Sequence, residues 1–206
     1  MTSTTPSPER SPVRRTLLVT AAVVVVAAAA AIGSFAHFSD KALSDQRDKE
    51  RRCCWAEGAT PQWMSEVIGV RVPKSATDRR AGYKIGSRLD TGLLAFTLPS
   101  QEADEYLAPM TPEGTEMIGN FHPEGEDYKP AAAFAHLGLP EPETIVKGMR
   151  LGGFCPDDVG TGDAIDTNYC VDIFAHEFTP GSTRIYLRST IEPGVSPLPT
   201  PVVSAN

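Results

Sequence analysis

Residues 168–178 read NYCVDIFAHEF; the turn Thr179-Pro180-Gly181-Ser182 follows, and residues 183–191 read TRIYLRSTI. In the first run Val171, Ile173 and Ala175 alternate with Asp172, Phe174 and His176. In the second, Ile185, Leu187 and Ile191 alternate with Arg184, Tyr186 and Arg188. Side chains of a strand point to opposite faces in turn, so the two runs predict a β-hairpin with one buried face.

Upstream of the hairpin the signals are shorter. Leu93 to Leu98 is an apolar run of strand length, and Ala81 to Ser87 predicts a partner for it. Lys74 to Arg80 (KSATDRR) and Leu89 to Gly92 are expected to be turns. Val67 to Val72, closed by Pro73, suggests a first strand, and Thr60-Pro61 the cap and first turn of a short helix. Residues 100–110 (SQEADEYLAPM) predict a helix with Ser100 as cap, acids in its first turn and Ala103, Tyr106 and Leu107 on one stripe. Thr111 to Val159 is rich in Pro and Gly and irregular, with one helical piece expected over Ala131–Leu137. Strands flanking a single strong helix, without a βαβ rhythm, predict an α+β domain over residues 56–192: an antiparallel sheet backed by a helix.

The other end of the chain decides where that domain works. Thr16 to Ala36 carries no charge, and as a helix would span about 31 Å, the thickness of a bilayer's hydrocarbon core. Arg10, Arg14 and Arg15 precede the run and Asp40 follows it. The positive-inside rule then puts the N-terminus in the cytoplasm and the domain outside. Ser34-Phe35-Ala36 resembles a cleavage site, but the run is longer than a typical signal core, which favours an uncleaved anchor. The expected order is a disordered cytoplasmic tail (1–15), a single-pass plasma-membrane helix (16–38), a charged helical stalk (39–55), the extracytoplasmic domain, and a Pro-rich disordered tail (193–206).

Charge narrows the partners. The chain has 19 basic and 26 acidic residues; without the first fifteen the balance is 16 − 25 = −9. An acidic domain argues against nucleic acid. Between Arg71 and Arg88, however, six bases face one acid, Asp78. Arg79, Arg80, Lys84 and Arg88 are candidate contacts for an anionic envelope polymer or headgroup, or for a protein partner. The same bases suit pairing with the acidic half, or the wet face of a sheet.

All four cysteines, Cys53, Cys54, Cys155 and Cys170, fall beyond the apolar run, where an oxidising space makes disulfides the default. The expectation is that Cys53 and Cys54 each reach one of the later two. Adjacent cysteines followed by distant singles do not fit zinc spacing.

Catalytic patterns are sparse. His176-Glu177 is followed by Pro180 where a zincin needs its second histidine, and Asp157, Asp158, Asp163 and Asp166 match no established calcium loop. His122, Cys170 and Arg184 or Arg188, behind a single-pass anchor, resemble the layout of a sortase. That resemblance implies a transpeptidase with a Cys thiolate, a His and an oxyanion-steadying Arg. Thr167-Asn168-Tyr169-Cys170 departs from the sortase Thr-Leu-x-Thr-Cys signature.

Val72-Pro73-Lys74-Ser75-Ala76-Thr77-Asp78, Phe96-Thr97-Leu98-Pro99, Asp104-Glu105-Tyr106-Leu107 and the closing hairpin together resemble single-pass, membrane-anchored ectodomain proteins of high-GC Gram-positive actinobacteria. The similarity runs from Val67 to Ile191 and implies a location but no catalytic residues. The sequence thus predicts a membrane-tethered envelope protein acting as a binding module, without cofactor or metal, with the cysteine transpeptidase as its alternative.

Overall fold

The computed structural model describes residues 49, 53–112, 114–158 and 165–194. The segments expected as the cytoplasmic tail, the membrane helix, most of the stalk and most of the C-terminal tail lie outside these residues. Among the described residues no helix is long and apolar enough to cross a membrane.

Six strands form one antiparallel sheet: β1 (Thr77–Lys84), β2 (Asp90–Pro99), β3 (Ile118–Gly119), β4 (Met149–Phe154), β5 (Val171–Thr179) and β6 (Ser182–Ile191). Their spatial order is β1-β2-β6-β5-β4-β3. The closing hairpin supplies the two central strands, with Thr179 opposite Ser182 across the Pro180-Gly181 turn. Two α-helices, α1 (Pro61–Ile68) and α2 (Ser100–Leu107), pack on one face.

That helical face forms the larger core. Leu94, Phe96 and Leu98 of β2, Ile173 and Ala175 of β5, and Ile185, Leu187 and Ile191 of β6 meet Met64 and Ile68 of α1 and Ala103 and Leu107 of α2. Thr60 caps α1 as expected, its hydroxyl accepting from Trp63 N at 3.2 Å. The helix then runs through Val67 and Ile68 and stops at Gly69, whose φ of +73° suits a residue without Cβ. The strand expected over Val67–Val72 therefore reduces to one bridge, Val70 to Ile165. Helical contacts of Met64 and Ile68 override the local β-branched composition.

The opposite face is buried too, which corrects the one-sided hairpin. Leu93, Ala95, Phe174 and Tyr186 are covered by Ala132, Phe134 and Leu139 of the irregular segment. The segment between β3 and β4 is thus the second layer. Its 3₁₀ turns, Phe134–Leu137 and Pro142–Thr144, replace the expected helical piece. The turn expected over residues 74–80 is half strand: β1 starts at Thr77, and a bulge before Arg80 holds Asp78 at φ +45°. Nor does Ser100 cap α2. Pro99 takes the cap position, and the Ser100 hydroxyl lies 2.9 Å from Thr183 Oγ1.

Candidate functional site

The cysteines pair differently from the expectation. Cys53 is bonded to Cys54 and Cys155 to Cys170. Cys155 leaves the end of β4 and Cys170 enters β5, so the antiparallel pairing of Phe154 with Val171 already sets those two side by side. No such pairing brings Cys53 or Cys54 to them. Instead the chain after Cys54 runs along the outer edge of β1: Ile85 N donates to Cys54 O and Ala56 N to Tyr83 O, each at 2.8 Å. Trp55 bridges Lys84 in the same register. This strap occupies an edge that would otherwise present unpaired main-chain groups.

Where the strap meets the β1–β2 turn, a cleft of about 400 Å³ opens between Cys53, Cys54, residues 84–89, Thr91 and Ala131. The turn is rigid. Buried Asp90 accepts from Gly86 N at 2.9 Å and from the Tyr83 hydroxyl at 2.6 Å. Burial, and then the Asp90 carboxylate, push the Tyr83 hydroxyl far up, so it stays a donor. A Cβ at Gly86 would overlap the Leu89 carbonyl, so the turn admits no other residue there without shifting. The result holds Ile85 (39 % exposed) and Leu89 (49 % exposed) out at the cleft, with exposed Arg88 between them in sequence. The walls are mainly apolar, with two cations among the lining residues, buried Lys84 and exposed Arg88.

The other three candidate bases are engaged by the fold. Arg79 donates to the carbonyls of Pro73, Lys74 and Ala76, each at 2.8 Å. Arg80 reaches Leu137 O at 2.7 Å and pairs with Asp78 at 2.9 Å. Asp78 in turn takes Arg184 at 2.6 Å, its bulged backbone aiming the carboxylate across the sheet. Lys84 is buried, donates to Ala131 O and lies 5.8 Å over the Trp55 ring. Arg88 makes no ion pair among the described residues. Sequence reasoning placed the bases together but missed Ile85 and Leu89, whose exposure follows from a turn geometry that composition does not encode.

The transpeptidase set is not assembled. The Cys170 sulfur is bonded to Cys155. Arg184 lies opposite His176, six residues along β5 from Cys170 and about 20 Å away. Arg188 is closer, opposite Asp172, but its guanidinium pairs with Glu143 at 2.5 Å. His122 lies beyond β3, at the far edge of the sheet from β1. In the acidic loop, the Asp158 carboxylate accepts from Cys155 N at 2.8 Å, and Asp163 lies outside the described residues. Among the described residues no three His, Cys, Asp or Glu side chains gather as a metal site would require. No family model matches this chain, and neither a curated protein nor a solved structure is significantly similar to it.

Proposed function

We propose that this chain is a membrane-tethered, extracytoplasmic binding module, and that the cleft at the β1–β2 turn takes a phosphate-bearing amphiphile of the cell envelope. Ile85, Leu89 and the Cys53–Cys54 pair receive the apolar part, and Arg88 the anion. The reading rests on one juxtaposition: two exposed aliphatic side chains and a cation without an ion pair among the described residues, around a single cleft on an internally paired sheet edge. Apolar walls with a few placed polar groups are the usual make-up of a small-molecule site. The tether is inferred from the uncharged run Thr16–Ala36 and its arginine flank.

The test uses the full-length chain in its own membranes, exposed to a photoreactive analogue of an anionic phospholipid. Labelling is expected within residues 84–89 and falls about tenfold in Arg88→Ser, the loss of one charge-assisted contact. Leu89→Ser weakens it further. Equal labelling by a phosphate-free analogue such as a photoreactive diacylglycerol, or labelling that ignores both substitutions, overturns the proposal.

A further inference from the structure

The two disulfides do different work. Cys155–Cys170 has a sequence separation of 15 and closes a loop, which restrains the unfolded chain. Cys53–Cys54 joins neighbours and removes almost no loop-closure entropy. What it fixes is local. Cys54 stands at φ +73°, in the left-handed region that residues with a Cβ seldom enter. That conformation sets the direction in which Trp55 leaves. Downstream, Cys54 O and Ala56 N complete the main-chain bonds to β1, and the Trp55 ring stacks on His136 with centroids 3.8 Å apart and planes at 5°. Both cysteines are exposed.

We propose that Cys53–Cys54 is a redox-active site that exchanges with an external dithiol, and that its state controls the Trp55 strap. A thiolate of the dithiol attacks one sulfur; the Cys53–Cys54 bond breaks and a mixed disulfide forms. The second thiol of the same reagent then displaces the bound cysteine. Two electrons and two protons pass to the cysteine pair, which becomes two thiols, while the reagent leaves as a disulfide. With the eight-membered ring open, Cys54 relaxes out of the left-handed region, the strap loses register with β1, and Trp55 leaves His136. The cleft then loses one wall. The inference stands whatever the cleft binds, because its readouts are thiol chemistry and the environment of Trp55.

Full-length protein in nonionic detergent is titrated with dithiothreitol, alkylated, and mapped by mass spectrometry. Cys53 and Cys54 are expected to alkylate at about one-tenth of the reductant needed for Cys155 and Cys170, since exposed pairs with little loop to restrain are the labile ones. Emission from Trp55, isolated with Trp63→Phe and checked in the wild type by difference, moves with that first step. The double variant Cys53→Ser/Cys54→Ser shows the reduced-state emission without reductant. Simultaneous or reversed opening overturns the proposal. So does emission that follows Cys155–Cys170, an oxidised-type spectrum in the double variant, or a map linking Cys53 or Cys54 to the later cysteines.

Discussion

The guanidinium of Arg188 lies 5.3 Å from the Phe134 ring centroid and 5.4 Å from that of Phe174, while its Nη1 donates to Glu143 Oε1 at 2.5 Å. Both charged side chains are about 15 % exposed, so the pair is only slightly screened by solvent. Removing one partner leaves the other half-buried and unneutralised, which costs more than the pair contributes when intact. Arg188→Ala should lower unfolding free energy by about 3 kcal/mol in denaturant melts, and Arg188→Met with Glu143→Gln should recover more than half of that. The bases around β1 separate by the same logic. Arg79→Ser removes the hydrogen bonds to three carbonyls, of which Pro73 O keeps Ala76 N, and should cost about 1–2 kcal/mol, whereas Arg88→Ser should stay within about 0.5 kcal/mol. Stability thus divides fold from ligand contact before any ligand is known. His136 adds a pH dependence. Burial, and then nearby Lys84, hold its imidazole below the usual value of about 6.5, so the folded state keeps it neutral. As pH falls past about 6.5 the unfolded chain takes up that proton first. The contribution is whole above this pH and is lost as pH falls through the depressed folded value. His176, lowered chiefly by burial, acts in the same sense; Glu141 and Asp172, raised chiefly by burial, act in the opposite one at lower pH. His136→Phe should therefore flatten the fall in melting temperature between about pH 7 and pH 5.5, measured against wild type.

Among the elements, the segment between β3 and β4 was the least readable and carries the second core. Phe134 is fully buried there, with Tyr186 edge-on at 5.0 Å and Phe174 at 6.4 Å. Phe134→Ala should cost about 3–5 kcal/mol and speed amide exchange in β5 and β6 ahead of α1 and α2, because it uncovers one face of the sheet only. Nothing periodic announces this layer, since short 3₁₀ turns and coil bury single residues rather than a stripe. The closing hairpin was legible because its alternation runs unbroken on both sides of a Pro-Gly turn. β4 was not: Met149-Arg150-Leu151-Gly152-Gly153-Phe154 puts small residues where alternation would show. Around the cleft, the bases were visible as a cluster of like charge. Their division into structural and exposed members was not, because it depends on carbonyls contributed by Pro73, Ala131 and Leu137, far apart in sequence.

At the scale of the whole molecule, the last strand is central. β6 pairs along its length with β2 and with β5, so the sheet cannot close until residues 182–191 have been made. The Cys155–Cys170 bond ties the β4 end to the β5 start and so restrains the approach of that final hairpin. In the chain-entropy model a loop of this size contributes about 3 kcal/mol. The double substitution Cys155→Ser/Cys170→Ser should lower stability by about that amount, while Cys53→Ser/Cys54→Ser should change it by less than about 1 kcal/mol. This contrast also tests the proposed location, because a loop-closing disulfide contributes only where the compartment keeps it oxidised. Full-length protein in cells should stay with membranes through an alkaline carbonate wash, lose its C-terminal domain to protease added outside, and resist thiol alkylation. A chain lacking residues 1–36 should remain in the cytosol, alkylate at all four cysteines, and melt like the Cys155→Ser/Cys170→Ser variant. A membrane-bound chain whose thiols alkylate without reductant would place the domain on the inner side, and the cleft would then face cytoplasmic ligands.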